Sequence, residues 1–172
     1  MTANSSPLIR PLAVCCVCLG NICRSPMAEA ILQHLADARG IPMEVTSAGT
    51  AGWHIGRPAD PRTKAELFAH HIELRHRARQ FTSADFVRAD LVLAMDTDNQ
   101  SHLIARATTQ ADLAKIHLIR DFDPRSVPGS EVPDPYYGDQ GDFREVFDLL
   151  TAASEGLLAR ITSDGLSPWQ TT

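Results

Sequence analysis

Cys18 and Arg24 are separated by the five residues Leu19, Gly20, Asn21, Ile22 and Cys23, and are followed by Ser25 and Pro26. That spacing suits the binding of a tetrahedral dianion. A five-residue loop can curl its backbone N–H groups around one such ion, and a helix starting where the loop ends adds further donors and the positive end of its dipole. Gly20 and Asn21 are residue types that tolerate φ > 0, which tight curling demands. Arg24 can then grip two oxygens of the anion with its planar fork. The same donors would hold a thiolate at Cys18, and a thiolate facing phosphorus is a nucleophile at neutral pH. The chemistry on offer is transfer of a phosphoryl group to sulfur. Cys-x5-Arg alone also arises by chance, so the elements around it carry the decision.

Those elements are the right ones. Residues 11–18 form a short apolar run ending at the glycine turn, as a buried strand does. Beyond the loop, Ser25 is placed to cap a helix with Pro26 at its first position, where a missing N–H costs nothing. Met27, Ala30, Ile31, Leu35 and Ala38 then recur at helical spacing, and Gly40 offers a stop. Further strands are predicted over 44–48, 90–95 and 115–119, with helices over 62–70, 84–88 and 143–161. The last helix turns Phe143, Val146, Phe147, Leu150, Leu157 and Ile161 inward. Residues 120–142 hold four prolines and three glycines and read as a long loop. Residues 162–172 lack a pattern and read as a loose tail. Strands alternating with helices predict a single α/β domain over 1–172, with its core at about 12–161. It is a parallel sheet of about four strands with helices on both faces and the phosphate-binding loop after the first strand. Ligands of such sheets bind beyond the carboxyl ends of the strands. The segments 19–25, 49–60 and 96–99 all lie there.

Composition bounds the function. The 172 residues suffice for one domain with a real core, and 44% hydrophobic with 22% charged residues describes a globular chain. The net charge of −5 argues against a general nucleic-acid binder but not against a local phosphate site. No stretch reaches the roughly 20 apolar residues of a membrane span. Arg10 and Pro11 interrupt the approach to the first apolar run, so no secretory leader is expected. All four cysteines (Cys15, Cys16, Cys18, Cys23) fall within nine positions. Such crowding is a poor disulfide framework and predicts reduced thiols in a cytoplasm. Cys15 and Cys16 lie mid-strand and read as small buried side chains.

The stretch Val17-Cys18-Leu19-Gly20-Asn21-Ile22-Cys23-Arg24-Ser25-Pro26 closely resembles the signature of the low-molecular-weight protein tyrosine phosphatases. The likeness runs over about 12–158. It includes Thr46-Ser47-Ala48-Gly49-Thr50, Ala59-Asp60-Pro61, His76-Arg77-Ala78-Arg79-Gln80, Met95-Asp96, Asn99 and Val132-Pro133-Asp134-Pro135-Tyr136-Tyr137. The resemblance implies phosphotyrosine-bearing protein substrates, phosphate and vanadate as product-like inhibitors, and no cofactor or metal. It implies Cys18 as nucleophile, Arg24 as binder of substrate and transition state, and Asp134 as general acid and then base. Ser25 would hydrogen-bond the Cys18 sulfur, and Asn21, Ser47 and His76 would hold the loop in shape. Trp53, Tyr136 and Tyr137 would wall the substrate ring. Cys23 would form a reversible disulfide with Cys18. By themselves, Asp134 is a turn residue between prolines, His76 belongs to a basic stretch, and Trp53 and the tyrosines are surface aromatics. Asp96 and Asn99 read as helix-capping or supporting residues.

Three rivals are weighed. Arsenate reductases on this fold need two further downstream cysteines, and none follows Cys23. Protein-arginine phosphatases carry a threonine before the second loop cysteine and lack the tyrosine pair, whereas Ile22, Tyr136 and Tyr137 stand here. A metal module built on the four cysteines conflicts with strand alternation, which turns Cys15 away from Cys16 and Cys18.

Overall fold

A computed structural model of the protein describes residues 10–170. The apolar run after Pro11 becomes β1 (Leu12–Cys18), a central strand with a neighbour on each edge. β2 (Met43–Gly49) pairs along one edge, from Leu12 opposite Met43 to Cys18 opposite Gly49. β3 (Leu91–Ala94) takes the other edge, and β4 (Ile116–Leu118) lies beyond it. All pairings are parallel and the order is β2-β1-β3-β4. The chain leaves β1 toward β2 and comes back on the far side as β3, so a crevice opens at the carboxyl end of β1. The Cys18–Arg24 loop occupies that crevice.

Alternation along β1 divides the core. Leu12, Val14, Cys16 and Cys18 face a large cluster built with α1 (Arg24–Ala38) and α6 (Gln140–Asp164). Cys15 and Val17 face a smaller one with Phe81, Phe86 and Leu103, from the side of α3 (Ser83–Arg88) and α4 (Thr97–Arg106). The cysteines therefore part as the alternation demands. α2 (Pro61–Ala69) packs beside α1 and α6, and α5 (Gln110–Ala114) precedes β4. The six inward residues expected on α6 are all buried. Each such side chain contributes about 1.5–3 kcal/mol relative to water, which anchors the longest helix across the sheet.

The structure corrects several sequence expectations. α1 begins at Arg24 rather than after Ser25, so Ser25 is no cap; its hydroxyl turns to the Cys18 sulfur. Ala38 is exposed, and Leu32 and Ala36 are buried instead. α4 and α5 were not expected. Their run from Thr97 to His102 is polar, but Asp96 caps α4 by accepting from the Asn99 N–H, and Thr109 with Asp112 forms a capping box on α5. α6 starts at Gln140, where Asp139 and Asp142 form another capping box, and it runs on to Asp164. The tail is not loose as far as residue 170. Gly165 turns the chain at φ +78, and Ser167–Trp169 form a 3-10 turn. Trp169 lies 6.0 Å from the Phe122 ring, with the Arg160 guanidinium 5.3 Å from both rings. Residues 171–172 lie outside the described residues.

Candidate active site

The carbonyls of the loop are tied outward one after another. Cys18 O accepts from Thr50 N at 2.9 Å, Leu19 O from Ala51 N at 3.0 Å, and Ile22 O from Asp60 N at 2.8 Å. Asn21 O accepts from His76 Nε2 at 2.7 Å, and Cys23 O from Thr63 Oγ1 at 3.3 Å. In a trans peptide the C=O and the next N–H point opposite ways. Fixing these carbonyls outside therefore turns the amides of Leu19, Gly20, Ile22, Cys23 and Arg24 inward. Close approach makes Gly49 necessary, since a Cβ there would stand 2.7 Å from the Leu19 carbonyl oxygen. Gly20 does not take the positive φ expected of it, and a Cβ there would meet only the movable His54 ring, at 2.9 Å.

Asn21 is the keystone. It is fully buried at φ +56, in the left-handed region. Its Nδ2 donates to Ser25 Oγ and Ser47 Oγ at 2.9 Å each, and its Oδ1 accepts from Arg79 N at 2.9 Å. Ser25 Oγ stands 3.0 Å from Cys18 Sγ. With Asn21 donating into its oxygen, the Ser25 hydroxyl hydrogen has two acceptors, the sulfur and the Ala48 carbonyl at 3.3 Å, of which the sulfur is the nearer. Ser47 passes the network on by donating to Glu29 Oε2, which also lies 3.8 Å from His76 Nδ1. Burial pushes the Glu29 carboxyl up, against the bond from Ser47 and the charge of Arg79.

Arg24 is 2% exposed and fixed at both ends of its fork. Nη1 donates to Asp96 Oδ2 at 2.6 Å and Val132 O at 3.0 Å; Nη2 reaches Asp134 Oδ2 at 3.2 Å. Burial works against the guanidinium charge, but Cys18, Asp96 and Asp134 together outweigh it. Asp96 makes the short charge-assisted bond and sets the orientation. The Asp134 contact is longer and its side chain 45% exposed, so it yields readily to an anion. Asp134 is carried on a loop tied to the residue just after β3 by Val132 N donating to Met95 O at 2.8 Å.

Cys18, Arg24 and Asp134 thus converge on one cavity of about 190 Å³. Leu19, Gly20, Ile22 and Cys23 line it, together with Trp53, Tyr136 and Tyr137. The two tyrosine rings meet edge-on at 4.9 Å. Every expected site residue is brought here or, for Asn21, Ser25, Ser47 and His76, directly behind the loop. Sequence reasoning assigned no role to His54, Glu29 or Arg62. His54 lines the cavity over Gly20. Glu29 follows Ser25 by one helical turn, a spacing that was readable. Arg62 ties Asp60 to the Tyr136 and Gly138 carbonyls, a contact no local pattern announces. Cys15 and Cys16 stay behind in the sheet: burial raises the Cys15 thiol to about 11 and pushes Cys16 well above its ordinary value.

Comparison with known proteins agrees with this geometry. The family model for low molecular weight phosphotyrosine protein phosphatase matches residues 13–166. A low molecular weight protein-tyrosine-phosphatase of Streptomyces coelicolor is 48% identical over 86% of this chain and 92% of its own length. A protein tyrosine phosphatase structure from Entamoeba histolytica, with Hepes in its active site, superposes with a TM-score of 0.84. It is 35% identical and covers 89% of this chain and 98% of that one. A Drosophila arginine phosphatase also superposes, with a TM-score of 0.80, 32% identity, and cover of 88% of this chain and 98% of that one. No helix among the described residues is long and apolar enough to cross a membrane. A cradle of inward amides around a cysteine, matched along nearly its whole length by these relatives, assigns the chain: it is a phosphatase and belongs to the low molecular weight protein-tyrosine-phosphatase family.

Proposed function

We propose that the protein hydrolyses phosphotyrosine in proteins through a phosphocysteine formed on Cys18. The observation that carries this is the convergence of Cys18, the Arg24 fork and the Asp134 carboxyl on one cavity with an aromatic lining. The Cys18 thiolate attacks phosphorus, the bond from phosphorus to the tyrosine oxygen breaks, and Asp134 gives its proton to the leaving phenolate. Asp134 then takes a proton from a water that attacks the phosphocysteine; the S–P bond breaks, releasing phosphate and the Cys18 thiolate. The inward amides and Arg24 meet the charge on the equatorial oxygens in both steps. Asp96 holds Arg24 in plane for this, and Ser25 stabilises the sulfur as it leaves.

Trp53, Tyr136 and Tyr137, all lining the cavity, supply aromatic surface suited to a flat substrate ring. Ile22 before Cys23 supports a phenolic rather than a guanidino substrate. We place the activity in the cytoplasm, where Cys18 stays reduced. Cys23, lining the same cavity, fits the role of a resolving thiol when peroxide oxidises Cys18 to a sulfenic acid. Phosphate and vanadate should compete with substrate for the amide cradle. The test is a steady-state comparison of phosphotyrosine, phosphoserine and phosphoarginine peptides of one sequence. The phosphotyrosine peptide should give the highest kcat/KM. A phosphoarginine peptide turned over as well or better would overturn the substrate assignment, and turnover by Cys18→Ser would overturn the nucleophile.

A further inference from the structure

Arg62 lies outside the cavity wall, second in α2, and bridges two loops remote in sequence. Its Nη2 donates to Tyr136 O and its Nη1 to Gly138 O, both at 2.9 Å. These are carbonyls of the segment that carries Asp134. The same guanidinium is held by Asp60, through Nε to Oδ1 at 3.0 Å and Nη2 to Oδ2 at 2.9 Å. Its plane lies 4.4 Å from the Phe143 ring centroid. Asp60 in turn donates its N–H to Ile22 O in the phosphate loop, and its carboxylate faces the Cys23 thiol. A rigid fork can satisfy Asp60 and two carbonyls at once; a lysine ammonium lacks that geometry.

The segment needs such a hold. Asp134 is 45% exposed in its side chain, and Tyr136 and Tyr137 are 41% and 97% exposed. Among the described residues, the side-chain hydrogen bonds tying 133–138 to the rest of the chain come from Arg24 and Arg62. Arg24 must turn to the phosphate when substrate binds, which leaves Arg62. We infer that Arg62 is a positioning residue that sets the Asp134 segment over the phosphate loop, placing the Asp134 carboxyl at the leaving oxygen. The inference rests on the reading of Asp134 as the proton donor.

The experiment compares Arg62→Ala, Arg62→Lys, Asp134→Asn and the double variant Arg62→Ala/Asp134→Asn. Each is assayed on aryl phosphates with good and poor leaving groups, and its vanadate affinity is measured. Misplacing a reacting group by about 1 Å can cost about 10²-fold, so Arg62→Ala should lose about 10–10²-fold in kcat/KM, which reports phosphoryl transfer to Cys18 alone, on poor leaving groups. It should lose little on good ones and keep its vanadate affinity. Arg62→Lys should fall between, and the double variant should be no slower than Asp134→Asn. Equal losses for both leaving groups, a further loss in the double variant, or vanadate affinity falling in step with kcat/KM would make Arg62 merely structural and overturn the inference. If Arg62→Ala does not fold, Arg62→Lys decides by the same leaving-group comparison. A flat leaving-group response in Asp134→Asn removes the donor assignment, and this inference with it. A normal response there, beside an unaffected Arg62→Ala and Arg62→Lys, removes the inference alone.

Discussion

Replacing Asn21 with alanine tests the claim that one side chain holds the phosphate loop in shape. The substitution deletes three side-chain hydrogen bonds, to Ser25, Ser47 and the Arg79 N–H, all in or against buried structure. At a net value of about 1 kcal/mol each, their loss amounts to about 3 kcal/mol. Alanine must also hold φ +56, which costs a further 1–2 kcal/mol or so against a residue at ease there. Together these give about 4–5 kcal/mol, a large share of the roughly 5–15 kcal/mol of a whole domain. For a chain of this size, each kcal/mol lowers Tm by about 2–4 °C, so the midpoint should fall by roughly 8–20 °C. Asn21→Gly supplies the control. It loses the same bonds but adopts the left-handed conformation freely. Glycine is ordinarily less stable than alanine; here it should be the more stable by about 1 kcal/mol. Urea unfolding followed by tryptophan fluorescence gives both stabilities, and vanadate binding reports the loop. A loss below about 1 kcal/mol in Asn21→Ala, or glycine less stable than alanine, would refute the keystone reasoning. So would vanadate affinity unchanged in both variants.

Three further outcomes are expected. Iodoacetate near neutral pH should carboxymethylate Cys18 and spare Cys15 and Cys16, whose thiols burial pushes up; peptide mass spectrometry showing either labelled at a comparable rate would contradict that. Gly156→Ala should destabilise despite alanine's better helix propensity, because the added Cβ would stand 1.9 Å from Phe122 O. Overpacking of this kind costs about 1–3 kcal/mol, and a raised Tm would mean that α6 can move away from that carbonyl. Asp60 is depressed below the usual carboxylate range, first by its hydrogen bonds from Arg62. Its contribution is therefore present above about pH 4, where the unfolded carboxyl ionises, and is lost as pH falls through the lower folded value. The stability gap between wild type and Arg62→Ala should narrow as pH drops below about 4; a gap that widens there would reverse the assigned direction.

What was legible in the sequence follows from where the information is stored. The cradle is contiguous, so the glycine turn, Asn21 and the Cys18–Arg24 spacing lie in one short window. α6 announces itself because Phe143 through Ile161 repeat at helical spacing against one core. α4 does not, because it buries only Asn99 and Leu103 along its length. Its signal was the Asp96 cap, a local feature that also serves to orient Arg24. Trp169 gave no periodic signal because it is a single anchor, held by Phe122 and Arg160. The Arg62 bridge spans 74 and 76 positions, and nothing near either end encodes the other.

Ser25 shows how a single position of helix start changes the chemistry. As a capping residue, its oxygen would accept from an amide at the helix N-terminus, the kind of donor an anion requires. The helix instead begins at Arg24, and Cys23 in the capping position makes no side-chain cap. A helix end left without caps is a liability in ordinary structure, because its first N–H groups stay unpaired away from water. Here that liability is consistent with donors kept for a ligand. Ser25, moved inside the first turn, accepts from Asn21 and turns its hydroxyl toward Cys18 Sγ. The same serine read as a cap and the same serine read as a partner of sulfur differ by the residue at which the helix starts. That start depends on Asp60, Thr63 and His76 drawing the loop carbonyls outward. The local signal could therefore name the residue but not its role.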